Sequence, residues 1–170
     1  MADFKSQTCC FTGHRDIDPL NERKILARVQ HILWRLLSQD VKYFGVGGAI
    51  GFDMLMAEYL IDLRDKADER IKIISVLPFP GWMEKWTDEQ KQRQEIILKK
   101  SDKVVYTQQE YTRDVYLARD RKLVDGSGYC ISYCNRRTGG TAYTVRYALE
   151  QGLEVHNASS WDIRQLAPKE

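Results

Sequence analysis

The residues able to do chemistry fall in five short stretches. Arg136, Arg137, Thr138, Gly139, Gly140 and Thr141 follow an apolar run and precede an amphipathic one. Two cations, two hydroxyls and glycines that leave their N–H groups open are a pattern that suits an anionic ligand. A second glycine-rich stretch, GGAIGFD, carries Gly47, Gly48, Gly51 and Asp53, with Gly45 just before it. Glycines there allow a tight turn and a close backbone approach where a helix begins, which suits phosphate or ribose. A plain turn is the competing reading. Asp53 is placed to cap that helix or to accept a ribose hydroxyl, and capping is the simpler role. Thr12, Gly13, His14 and Arg15 form a third stretch. The pKa of an ordinary histidine lies near neutrality, so His14 could act as a base; it could equally donate a hydrogen bond to a ligand or to a loop carbonyl. Phe79, Trp82 and Trp86 offer rings that could stack on a base or pack the sheet. In YLARDRK, Arg119 falls near the apolar stripe of its helix and Asp120 on it, and a charge so placed needs a partner or a site.

What could position these stretches is an alternation of strands and helices. Residues 8–13, 42–48, 71–79, 102–107, 128–134 and 153–157 are short and apolar. Between them, residues recur at helical spacing: Ile25, Val29, Ile32 and Leu36; then Phe52, Met56, Tyr59, Leu60 and Leu63. A polar helix near 87–100 carries Ile97 and Leu98. Tyr116, Leu117, Leu123 and Val124 mark another helix, and Ala142, Val145, Ala148 and Leu149 mark the last, ended by Gly152. Right-handed crossovers between about six such strands give a mainly parallel, Rossmann-like α/β sheet with helices on both faces. Residues 1–170 read as one domain, with no linker or repeat. All five chemical stretches then fall at or just beyond strand ends, where ligands of open α/β sheets sit.

Bulk properties narrow the partners. Lys and Arg total 26 against 24 Asp and Glu, a net charge of +2. Such a balance argues against a broad nucleic-acid surface but leaves room for a small anion held by local arginines. Cys9 and Cys10 are adjacent in a strand and should point to opposite faces, and neither they nor Cys130 and Cys134 have the spacing of a zinc knuckle. Buried free thiols are expected, and no metal. No apolar run has membrane length, and the first residues, MADFKSQTCCFTG, do not read as a signal peptide. A cytoplasmic location is expected.

Taken together, FTGHR, GGAIGFDMLMAE, LARDRKLVDGSGYCISY and RTGGTAYTVRYALEQG resemble the SLOG superfamily, nearest its bacterial YpsA-like branch, over about residues 8–157. The resemblance implies a Rossmann-like domain binding nucleotides or their derivatives, including ADP-ribose-like and NAD-derived molecules. The superfamily also includes the Lonely Guy phosphoribohydrolases, the DNA-processing protein of natural transformation and sensor domains of antiphage systems. The enzyme branch carries P-G-G-x-G-T-x-x-E with a catalytic Glu, and an Arg on the preceding helix that falls on Arg119. Here the Glu position holds Thr144 in one register and Arg146 in the other, and Glu150 lies about two and a half turns past Thr141. Binding or sensing of a nucleotide-derived molecule is therefore expected, with no required cofactor. The alternative is an N-glycoside hydrolase using Asp53, Asp114 or Asp120, with Arg119 and Asp120 the first catalytic candidates. A DNA-associated or protein-interaction module is a third reading. Related folds often dimerise through helices, so a homodimer is one expected assembly.

Overall fold

The computed structural model describes residues 3–168. The outermost residues of the expected domain, 1–2 and 169–170, lie outside that range. Six strands are present: β1 (Thr8–Gly13), β2 (Tyr43–Val46), β3 (Lys72–Leu77), β4 (Lys103–Tyr106), β5 (Tyr129–Tyr133) and β6 (Glu154–Asn157). Five α-helices connect them: α1 (Glu22–Ser38), α2 (Phe52–Lys66), α3 (Asp88–Lys100), α4 (Val115–Asp125) and α5 (Gly140–Glu150). The sheet runs β4-β3-β2-β1-β5-β6 and every pairing is parallel.

The helices divide between the two faces as their apolar stripes dictate. Ile25, Val29, Leu33 and Leu36 bury one face of α1, and they join α2 and Ile97 of α3 in one core. Leu123, Val124 and Ala148, from α4 and α5, form a smaller core on the opposite face. Cys9 belongs to the first core and Cys10 to the second, as alternation along a strand requires. All four cysteines are buried and free.

This arrangement fixes where a site can form. From β1 the chain leaves into α1 on one face; from the adjacent β5 it leaves into α5 on the other. The two loops diverge and leave a crevice beyond the carboxyl ends of β1 and β5, the topological switch point of the sheet. Register across this pair places Thr12 opposite Ser132 and Gly13 opposite Tyr133.

Some details depart from the sequence reading. β2 ends at Val46 and leaves Gly47 and Gly48 to the turn, and β3 ends before Pro78. Three 3-10 turns, Phe4–Gln7, Pro19–Asn21 and Ile163–Leu166, were not foreseen. On α4 the buried stripe is Val115, Arg119 and Leu123, so Arg119 and not Asp120 lies on it. No described helix is long and apolar enough to cross a membrane.

Candidate functional site

A cavity of about 330 Å³ opens at the switch point. The loop after β1 contributes Thr12, Gly13, His14, Arg15 and Asp16; the turn after β2 contributes Gly48, Ala49 and Asp53. Trp82 comes from beyond β3, Tyr116, Leu117, Arg119 and Asp120 from α4, and Arg136, Gly139, Gly140 and Thr141 from the β5–α5 loop. Five residues expected at the site stand behind or beside it instead: Gly47, Gly51, Phe79, Trp86 and Thr138 do not line the cavity.

Two helix N-termini meet here, and neither has a side-chain cap. α5 starts from Gly139 at φ 97 and α2 from Gly51 at φ 83. Both values lie in the left-handed region that side chains avoid, so glycine sets the angle at which each helix enters. At Gly51 a side chain would also meet the Arg15 backbone, since an added Cβ would lie 2.3 Å from its carbonyl oxygen. α3 shows the contrast, because Thr87 and Gln90 close a full capping box at its start. Open N–H groups and the positive end of the helix dipole make the start of α5 a place for an anion. Arg136 stands at the mouth, 3.4 Å from Asp16, with both side chains exposed.

The start of α2 is different, because it already carries a carboxylate. Asp53 is buried in its first turn and accepts a hydrogen bond at 3.3 Å from the Ala49 N–H. It therefore ties the turn before the helix and not the helix's own first N–H groups. Beside it lies Arg119, also buried, which donates from Nε to Asp120 Oδ1 at 2.7 Å and from a terminal nitrogen to the Gly47 carbonyl. Burial pushes the Asp53 carboxyl up to about 6; Arg119 opposes the rise and Asp120 adds to it. The floor of the cavity is thus one guanidinium between two carboxylates.

Thr144 stands behind this floor, buried and outside the cavity lining. Its hydroxyl lies 3.1 Å from Asp120 Oδ2 and 2.8 Å from the Gly140 carbonyl, with one proton for the two acceptors. Arg146 points away, exposed, and donates to the Arg137 carbonyl at 2.6 Å. Of the two residues that could occupy the position of a catalytic Glu, Thr144 is the one turned towards the site.

His14 is buried at the rim. Its Nε2 accepts from the Asn135 N–H at 3.1 Å, so the ring proton sits on Nδ1. Desolvation, and then the charge of Arg136, lower its pKa and keep the ring neutral. The free pair of the neutral ring is already engaged, which counts against the expected base and leaves the Nδ1–H as the group able to donate. The main chain around it is equally tied: His14 donates to the Tyr133 carbonyl at 3.3 Å and accepts from the Phe52 N–H at 3.1 Å.

Only one of the three expected rings reaches the cavity. Trp82 is held by a 2.8 Å hydrogen bond from Nε1 to the Gly48 carbonyl. Trp86 packs edge-on against it, 6.1 Å between centroids, and faces the core. Phe79 packs against Tyr111 and Tyr116. The ring missed from sequence is Tyr116, one turn before Arg119 and 5.9 Å from its guanidinium. Its spacing from Arg119 along α4 was the available signal. Ala49, Leu117 and Asp16 were also missed.

No curated protein matches the chain. Among solved structures it is similar to DNA processing protein A from Helicobacter pylori, with a TM-score of 0.62 and 16% identity over 90% of this chain and 65% of that one. That protein is described as having a single-stranded DNA binding mode. The chain is also similar to DNA processing protein A from Streptococcus pneumoniae, with a TM-score of 0.65 and 18% identity over 88% of this chain and 49% of that one. It therefore spans less than two thirds of either protein, and the likeness is one of fold. The family model described as the YspA SLOG family matches residues 10–170, and the chain belongs to that family.

Proposed function

We propose that the protein binds a nucleotide-derived small molecule, of the nucleoside phosphate or ADP-ribose class, in the switch-point cavity. The observation that carries this reading is the polarity of the cavity. One wall is the uncapped start of α5, which suits phosphate. The floor is the Asp53–Arg119–Asp120 cluster, whose carboxylates suit ribose hydroxyls. Trp82 and Tyr116 offer faces for a base. A volume of about 330 Å³ lies within the range of small-molecule sites. In a thermal-shift panel of AMP, ADP-ribose and NAD, a ligand at 100 times its Kd adds about 2.7 kcal/mol of apparent stability. A flat response to every nucleotide would sink the proposal.

One contact favours a second reading, an N-glycoside hydrolase. Asp120 approaches Thr144 from the neighbouring helix and so supplies a carboxylate where the motif lacks one. One of its oxygens is held by Arg119, and the other shares the single Thr144 hydroxyl proton with the Gly140 carbonyl; the Arg119 bond favours holding over cutting. Chromatography of AMP incubated with the protein should show negligible free adenine. Rapid release that is lost in Asp120→Asn would establish the hydrolase instead.

Nucleic acid was expected to be an improbable partner on net charge alone. The H. pylori protein, described as binding single-stranded DNA, has the same fold, so charge balance is no exclusion. The concave, locally polar cavity still favours a small molecule.

A further inference from the structure

A second cleft, of about 630 Å³, lies between the start of α1 and the ends of β5 and β6. It is separate from the switch-point cavity and shares none of its lining residues. Lys24 and Arg28, one turn apart on α1, project from the same side of that helix into its wall. Neither has a carboxylate partner among the described residues; Arg28 donates only to the Ala158 carbonyl, at 3.2 Å. The one acid in the cleft, Asp162, is held by Arg164 at 2.9 Å. Two cations with no internal counter-charge thus face a concave surface.

The opposite wall is aromatic and built in advance. Trp161 packs one side against the core of Cys134, Ala142, Val145 and Leu166, and also lines the cleft beside Tyr133. The turn that carries it is fixed by Asn157, whose side chain accepts from the Cys134 N–H at 3.0 Å. Its amide donates to the Cys134 and Trp161 carbonyls, each at 2.8 Å. The Trp161 N–H is in turn satisfied by Ser159 Oγ at 3.1 Å. Little ordering is left to be done when a ligand arrives, which favours binding.

We propose that this cleft is a second binding site for a phosphorylated aromatic molecule of the nucleoside phosphate class, with Lys24 and Arg28 on the phosphate and Trp161 against the base. It does not depend on the reading of the first cavity. The two sites meet at one strap of chain: the Asn135 N–H, on the edge of the cleft, holds the His14 ring that lines the cavity.

Isothermal titration with AMP tests it on the intact chain. Two sites per chain are expected. Lys24→Glu, on an exposed side chain, should weaken one of them by about tenfold or more, because it replaces a phosphate-facing cation by an anion. Arg28→Glu serves as the second variant, with circular dichroism checking that each folds. Gly140→Asp should weaken only the other site. Binding that is lost in Gly140→Asp and untouched by both α1 variants overturns this proposal and leaves the first cavity's function standing. Binding sensitive only to the α1 variants does the reverse. No AMP binding at either site overturns both.

Discussion

Replacing Asp53 by Asn should make the protein more stable at neutral pH and leave its stability unchanged in acid. Asp53 is buried, and its pKa is raised from 3.8 to about 6. At roughly 1.36 kcal/mol per pH unit, that gap corresponds to about 3 kcal/mol spent on keeping the carboxylate charged in the folded state. The sign follows from proton uptake. Folded Asp53 holds its proton more tightly than unfolded Asp53, so its contribution is most favourable below about pH 4, falls as pH rises through about 6, and is lost above it. Asn has the same shape and no charge. It can still present its carbonyl oxygen to the Ala49 N–H, which now binds Asp53 Oδ2 at 3.3 Å. Part of the gain is returned, because Arg119 then faces Asp120 alone. A net rise of about 1–2 kcal/mol at pH 7.5 is expected, or roughly 2–8 °C in melting temperature for a chain of this size. Several surface acids, among them the exposed Asp16 and Asp162 and the half-buried Asp68, have lowered pKa values and tilt the whole curve the other way. The comparison is therefore the difference between variant and parent in urea titrations from pH 4 to 8. A difference that does not change with pH, or a variant less stable at every pH, would refute the assignment of Asp53 as a charge held against its preference. The same variant should bind nucleotide more weakly, since it trades stability for a poorer hydroxyl acceptor.

Gly140→Asp should fold normally, because an added Cβ there meets nothing within 4 Å, and an acid in the first turn of α5 suits the helix dipole. It should nevertheless weaken AMP binding at the cavity by about tenfold or more, read by titration, because the new anion takes the place offered to phosphate. Arg119→Met should cost roughly 3–5 kcal/mol in chemical denaturation, since it leaves Asp53 and Asp120 without their shared cation; a variant as stable as the parent would show that the pair needs no counter-charge.

The fold was legible because its strands lie between two helical layers. Strands buried on both faces read as short apolar runs, as Cys9 and Cys10 illustrate by serving opposite cores. The crevice was legible as well, because topology brings certain strand ends together whatever residues occupy them. The direction of side chains was not. Phe79, Trp82 and Trp86 all follow β3, but only Trp82 turns into the cavity, anchored by its indole N–H on Gly48. Arg119 and Asp120 exchange their expected places on α4, because the stripe begins at Val115 and not at Tyr116. The tautomer of His14 depends on the Asn135 N–H, which is 121 residues away in sequence and which no local pattern reveals.

The same distinction decides between holding a ligand and cutting it. Sequence shows that a motif Glu is absent and that aspartates are present; it cannot show what those aspartates are already doing. A carboxylate that stabilises a cationic ribose must direct its charge at the ligand, because charges and dipoles fixed in advance commonly contribute more to catalysis than any other effect. Asp120 directs one oxygen at Arg119 and the other at Thr144. Asp53 gives an oxygen to the Ala49 N–H, and with a pKa of about 6 its carboxylate is costly to keep charged. Arg119, fixed between them on the Gly47 carbonyl, would repel a developing cation. The residues that would have to replace the missing Glu are instead engaged in balancing one another. What this floor offers a ribose is a set of fixed acceptors, which suits binding through its hydroxyls more than breaking the bond at its anomeric carbon.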